Sequence, residues 1–284
     1  MNEFPIPVVS FGPGSQPEDE TLDYMNMPKG MAVFNPPSVP DDVAPELRDQ
    51  AANLIRQLLA QMRAYRFGAT SYPKIDLLKY DPRVVPLIND ILGQGEVSII
   101  AHQPTALRAQ ETVFASVWRV CYPGADGVLE RDYLEVCPIP AVVAEIALAP
   151  TLKQISPPPP PAGAMNSPAL LHEILDVVST YQAGNPAHII NLTLLPLTPD
   201  DLAYLVQALG PGSVSILSRG YGNCRITSSG LANVWWVQYF NSSDQLILNT
   251  IEVVEVPEVA LAAEEDFSDS IERVEEWLGT MLAA

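Results

Sequence analysis

LGQGEVSII (residues 92–100) and LGPGSVSIL (residues 209–217) decide the fold, because they are one segment written twice, 117 positions apart. At the same offset, with no gap, FASVWRVCY (114–122) falls on LANVWWVQY (231–239), Glu135-Val136 on Glu252-Val253, and Pro140 on Pro257. Residues 92–146 against 209–263 give 17 identities in 55 positions, about 31%, and chance does not hold one ungapped register that long. A weaker match lies upstream, where Leu77, Leu78 and Pro82 meet Leu194, Leu195 and Pro199.

Each copy has the same internal order. Leu47, Ala51, Leu54, Leu58 and Met62 recur at helical spacing between Pro45 and Gly68, which predicts an amphipathic helix opening the first unit. SPALLHEILDVVSTYQAG (167–184) is its counterpart, with Ser167 as cap and Gly184 as terminator. Phe114, Ser116, Trp118, Val120 and Tyr122 alternate with Ala115, Val117, Arg119 and Cys121, a strand pattern of period two. Each unit is expected to run helix, strand, helix, three antiparallel strands and a short closing helix. A last helix over 266–282 lines up Phe267, Ile271, Val274, Leu278 and Met281 and is expected to pack on the second unit. The expected fold class is α+β: two tandem pseudo-repeats, each a small, largely antiparallel sheet packed by helices.

Between the copies, ISPPPPPAGAMNSP (155–168) holds five successive prolines that neither continue a helix nor donate to a sheet, so it reads as a stiff polyproline II spacer. Residues 1–40 carry eight prolines and three glycines around an acidic EDE and show no sustained periodicity, which predicts a flexible or surface-wrapped arm. The expected organisation is an arm at 1–40, a first repeat at 41–154, a linker at 155–166, and a second repeat with its terminal helix at 167–284.

The net charge of −19 is concentrated at the ends. Residues 1–50 hold nine acids and two bases, and residues 251–284 hold ten acids and one base. Nucleic acid and anionic lipid need clustered Lys and Arg, so neither is expected as a partner, whereas acidic ends attract a basic protein segment or simply maintain solubility. No apolar run approaches the roughly 20 residues that span a bilayer. The N-terminus MNEFPIPVVSFGPG has no basic start or extended apolar stretch of a secretory leader, and a cytoplasmic location is expected. The cysteines Cys121, Cys137 and Cys224 form neither a CxxC pair nor an even disulfide set.

Gly93 with Gly95, and Gly210 with Gly212, resemble fragments of a nucleotide loop. A phosphate cradle needs strand, glycines, then helix; here the helix comes first, so these glycines are expected to end helices. His102, His172 and His188 fall in no hydrolytic or zinc spacing. Neither catalytic, cofactor-binding nor metal-ligating residues are expected, and the chain does not read as an enzyme. SRGYGNCRITSSG (218–230) is different, gathering Arg219, Tyr221, Asn223, Cys224 and Arg225 between two strands where the first copy has unrelated residues. Aromatic and Arg side chains on a loop held by a sheet are typical of binding surfaces, although a plain hairpin reads the same way. A guanidinium beside Cys224 would lower that thiol's pKa. Trp235 matches Trp118 and is expected in the core, while Trp236 points to the opposite face, either under a helix or as an exposed anchor.

IPVVSFGPGSQPEDETLDYMNMP, LGPGSVSILSRGYGNCRI and GLANVWWVQYFNSSDQLILNTIEVVEVPEVALAAEEDF together resemble the HupH/HyaF hydrogenase expression-and-formation family over nearly the whole chain. The resemblance implies an accessory protein for uptake nickel-iron hydrogenases, one that assists the iron-sulfur small subunit before its twin-arginine export. It implies the small-subunit precursor and other maturation factors as partners, and transfers no catalytic residue. The expected function is a maturation chaperone whose partner-binding candidates are Arg219, Tyr221, Asn223, Cys224, Arg225 and Trp236. A thiol-based redox or iron-delivery factor using Cys224, and a passive assembly scaffold, are the alternatives.

Overall fold

Apolar side chains at helical spacing behind Pro45 form helix α1 (Pro45–Ala64), which buries Leu54, Ile55, Leu58 and Met62. Each such side chain contributes roughly 1.5–3 kcal/mol on leaving water. The computed structural model describes residues 43–102, 105–124, 126–149, 151–152, 154–219 and 223–283, so the expected arm at 1–40 and Tyr221 lie outside the described residues. After α1 come β1 (Lys74–Asp76), a 3-10 turn, α2 (Val84–Leu92), β2 (Val97–Ala101), β3 (Leu107–Glu111), β4 (Val117–Pro123), β5 (Leu129–Val136) and α3 (Ala141–Leu148). The second half repeats the order with α4 (Ser167–Thr180), β6 (His188–Asn191), α5 (Pro199–Leu209), β7 (Pro211–Ser218), β8 (Asn223–Ser229), β9 (Val234–Phe240), β10 (Leu246–Val253), a 3-10 turn (Glu258–Ala260) and α6 (Glu264–Ala283). Four strands, not three, follow the second helix of each half, because the loop segment rich in Gly and Arg continues into β8 and its counterpart into β3.

All ten strands form one sheet in the order β1-β5-β4-β3-β2-β7-β8-β9-β10-β6. The halves join where β2 and β7 pair antiparallel, with Ile99 opposite Ile216 and Val97 opposite Ser218. Ile99 and Ile216 are equivalent under the sequence offset, so a pseudo-twofold axis passes through that pair. Each half alone would expose this strand as an unpaired edge; pairing satisfies both rows of backbone groups at once.

The equivalent residues behave alike. Trp118 and Trp235 are almost fully buried, and their indole N–H groups donate to the carbonyls of Cys137 and Val254 at 3.1 Å. Gly93 and Gly210 end α2 and α5 at positive φ (58° and 66°), the conformation that favours glycine. Ser116 and Asn233 occupy the left-handed region at the matching β3–β4 and β8–β9 turns. Strand β4 therefore starts at Val117 rather than at 114, and Phe114 turns away from Trp118 into the cluster under α1.

Three layers of contact interlock the halves. Helix α3 and the 3-10 turn at Glu258–Ala260 cover the middle of one sheet face, over Ile99, Val120, Val214, Ile216, Ile226 and Val237. Helices α1, α2 and α6 cover the first-half end of the other face, and α4 and α5 its second-half end. Helix α6 thus packs on the first unit, not the second: Phe267 meets Tyr65 at a ring separation of 5.6 Å, and Arg63 pairs with Glu275 at 2.5 Å. Its apolar stripe is satisfied by α1, a partner distant in sequence. In return, the chain leaving the first half packs on the second, where Leu152 bridges to Leu231 and the Tyr204 hydroxyl donates to Pro158 O at 2.9 Å.

The start of α4 differs from the expected cap. Ser167 is its first helical residue, and its hydroxyl donates to Asp201 at 2.7 Å instead of accepting from the helix. The helix ends at Thr180, three residues before the turn that Gly184 makes possible at φ 87°. Asp201 also accepts from the N–H groups of Met165, Asn166 and Ser167, and its second oxygen accepts from the Thr198 N–H and hydroxyl in the capping box of α5.

Candidate partner-binding face

Side chains alternate across a strand, so the sheet's two faces are fixed by register. On the face under α3, Ile99, Ala101, Ala109, Val120, Ile216, Ile226 and Val237 are at most 3% exposed. On the opposite face, between the α1–α2 and α4–α5 helix pairs, the matching positions are Ser98, Ile100, Arg108, Gln110, Arg119, Cys121, Ser215, Arg225, Thr227 and Gln238, all half-buried or exposed. This centre, which no helix among the described residues covers, straddles the pseudo-twofold axis. Arg108 on β3 and Arg225 on β8 are related by the repeat offset, as are Ile100 and Leu217 between them.

The guanidinium groups here differ in employment. Arg119 is bound to Asp132 through Nε (3.0 Å) and Nη2 (2.8 Å) and to Asn89 through Nη1 (2.6 Å), and the Asp132 carboxylate raises its pKa. Cys121 lies beside this pair, 3.4 Å from Asp132 Oδ1; burial, reinforced by that carboxylate, pushes its thiol up to about 11. Arg225 lies over the Phe240 ring, 4.5 Å from its centroid, and its Nε is buried without a hydrogen-bond acceptor. Arg108 is exposed and, among the described residues, has no ion pair.

Of the residues singled out from sequence, Asn223, Arg225 and Trp236 share this face. The Asn223 side-chain amide donates to Asp244 at 3.3 Å, and Trp236 is half-buried against the α4–α5 cluster, taking the position that Arg119 holds in the first half. Arg219 follows β7, its N–H donating to Glu96 O at 3.1 Å. Cys224 points to the opposite, covered face at 3% exposure, and burial pushes its thiol up to about 12, the reverse of the activation a neighbouring arginine would give. Arg108, Ile100 and Leu217 were missed, although the Arg108–Arg225 identity stands out within the most diverged part of the repeat.

Among the described residues, no three His, Cys, Asp or Glu side chains are grouped to share a metal ion, and no helix is long and apolar enough to cross a membrane. The arrangement is a mixed apolar and arginine-bearing strip framed by helices.

The profile described as "HupH hydrogenase expression protein, C-terminal conserved region" matches the chain twice, over residues 49–148 and 164–281. The chain is 44% identical over 285 residues to the hydrogenase expression/formation protein HoxQ of Cupriavidus necator, covering 99% of this chain and 100% of that protein. It is also 44% identical to the hydrogenase expression/formation protein HupH of Rhodobacter capsulatus, with 98% of each covered. A solved structure of the hydrogenase expression protein HupH from Thiobacillus denitrificans, 29% identical, covers 40% of this chain and 96% of its own, at a TM-score of 0.39. The chain belongs to the HupH family of hydrogenase expression/formation proteins.

Proposed function

We propose that this chain is a maturation factor for a nickel-iron hydrogenase, a non-catalytic chaperone that binds the immature iron-sulfur small subunit before export. A role in hydrogenase maturation is supported by near-full-length relatives named hydrogenase expression/formation proteins. The observation that carries the binding reading is the contrast between the two sheet faces: one covered by α3, the other, among the described residues, uncovered by any helix at its centre and bearing Asn223, Arg225 and Trp236. Acids on the exposed side of α6, among them Glu264, Glu265, Asp269 and Glu272, supply a field that attracts the basic signal segment of such a precursor.

The test is a pull-down of the small-subunit precursor, with and without its signal peptide, with iron and labile sulfide assayed on the bait. A metal-free complex that depends on the signal peptide and weakens with salt supports the chaperone. Absence of a complex, with iron held by the bait alone, overturns it.

A further inference from the structure

Resting on the reading of the open face as the partner-binding surface, we propose that its occupant is an extended acidic–apolar–acidic segment of the partner. Two carboxylates engage Arg108 and Arg225, and apolar side chains between them cover Ile100.

The register sets the geometry. Arg108 stands opposite Ile100, Ile100 opposite Ser215, and Ser215 opposite Thr227, two residues from Arg225. Three interstrand steps and a two-residue stagger separate the arginine Cα atoms by roughly 16 Å, which an extended chain covers in about five residues. The strip between them is apolar at half-buried Ile100, with Leu217 beside it already 7% exposed, and small or neutral at Ser98, Ser215, Gln110 and Thr227. A diagonal peptide therefore meets a basic, an apolar and a basic patch in turn.

The two guanidinium groups are available for this. Arg119, on the same face, is already bound to Asp132 and Asn89, whereas Arg225, held over Phe240, and Arg108 have no ion pair among the described residues. Two such cations in a chain of net charge −19 are a local inversion of sign, and guanidinium favours the two-oxygen geometry of a carboxylate. The axis through Ile99 and Ile216 relates the arginines, so either chain direction presents the same pattern.

The experiment measures fluorescence anisotropy of a labelled peptide with two glutamates about five residues apart and valine and leucine between, on the full-length protein. Arg108→Gln and Arg225→Gln are each expected to weaken binding about tenfold and the double variant about a hundredfold, with the circular dichroism spectrum unchanged. A control peptide with glutamines in place of glutamates is expected to bind no better than the double variant binds the acidic one. Equal binding by wild type and double variant, or by both peptides, overturns the inference.

Small-subunit capture on the same variants separates the two readings. A wild-type chain that captures the subunit, with neither arginine mattering to capture or peptide, overturns the inference alone. Arginine-dependent peptide binding without any subunit capture overturns the functional reading alone. If converting Glu18, Asp19, Glu20 and Asp23 to their amides in the full chain tightens peptide binding more than tenfold, that acidic stretch of this chain is the occupant, and the external one is excluded.

Discussion

Replacing Asp201 by alanine removes the acceptor of six hydrogen bonds: from the N–H groups of Met165, Asn166 and Ser167, the Ser167 hydroxyl, and the Thr198 N–H and hydroxyl. Met165 and Asn166 are exposed and recover hydration, but Ser167 is fully buried, so both of its donors are left without a partner. At about 1–3 kcal/mol per stranded donor, with the lost capping box added, the substitution is expected to destabilise the fold by about 3–5 kcal/mol. That corresponds to a fall in Tm on the order of 10 °C for a chain of this size. The pH dependence has a definite sign. Burial works to raise the Asp201 pKa, but the donors of Ser167, Thr198 and Asn166 outweigh it and hold the carboxyl well below the usual range. Its stabilisation is thus present above the unfolded value near 3.9 and lost as pH falls toward the folded value, so the gap between wild type and Asp201→Ala narrows below about pH 4. Thermal unfolding followed by circular dichroism at pH 7 and pH 3 measures both effects. A Tm loss under about 3 °C at pH 7 would refute the reasoning.

Three further outcomes are expected. Ile216→Ala, at the central β2–β7 pair and 1% exposed, loses about 2–4 kcal/mol in a denaturant titration, and an unchanged midpoint would mean that the seam does not hold the halves together. Cys137 and Cys224, buried and with thiols raised by that burial, are expected to resist a thiol reagent at pH 8 until the chain is unfolded, when all three cysteines react; rapid native labelling of Cys224 would contradict the covered face. Glu111 is 8% exposed, and burial pushes its carboxyl up to about 7, with like charge from Glu96 and Asp266 adding and the Ser116 N–H opposing. Its folded pKa exceeds the unfolded one, so stability falls as pH rises from about 4.5 to about 7; Glu111→Gln is expected to be about 2–3 kcal/mol more stable than wild type at pH 8 and near parity at pH 4 in paired urea titrations.

Much of the fold is legible in residues close along the chain. The 117-position offset announces two like units, and the glycines at 93 and 210 announce helix ends, because each follows an apolar helical pattern and supplies the positive φ that turns the chain into the next strand. The shared Trp118 and Trp235 announce the core, since each is apolar and each repeats on one strand face. The site was legible only in part. Asn223, Arg225 and Trp236 were found from composition, but Cys224 alternates away from them, and the interest of Arg108 depends on its placement relative to Arg225.

The apolar face of each element and the order of the elements follow from local periodicity and turn chemistry along the chain. Which surface each face meets is set by contacts between distant residues. Helix α6 buries its stripe against α1 rather than its own unit, β2 and β7 fuse two half-sheets through Ile99 and Ile216, and no helix among the described residues covers the centre of one face. The physical reason is that an apolar stripe or an unpaired strand edge specifies only that it must be covered; shape and register between residues far apart in the chain choose the cover.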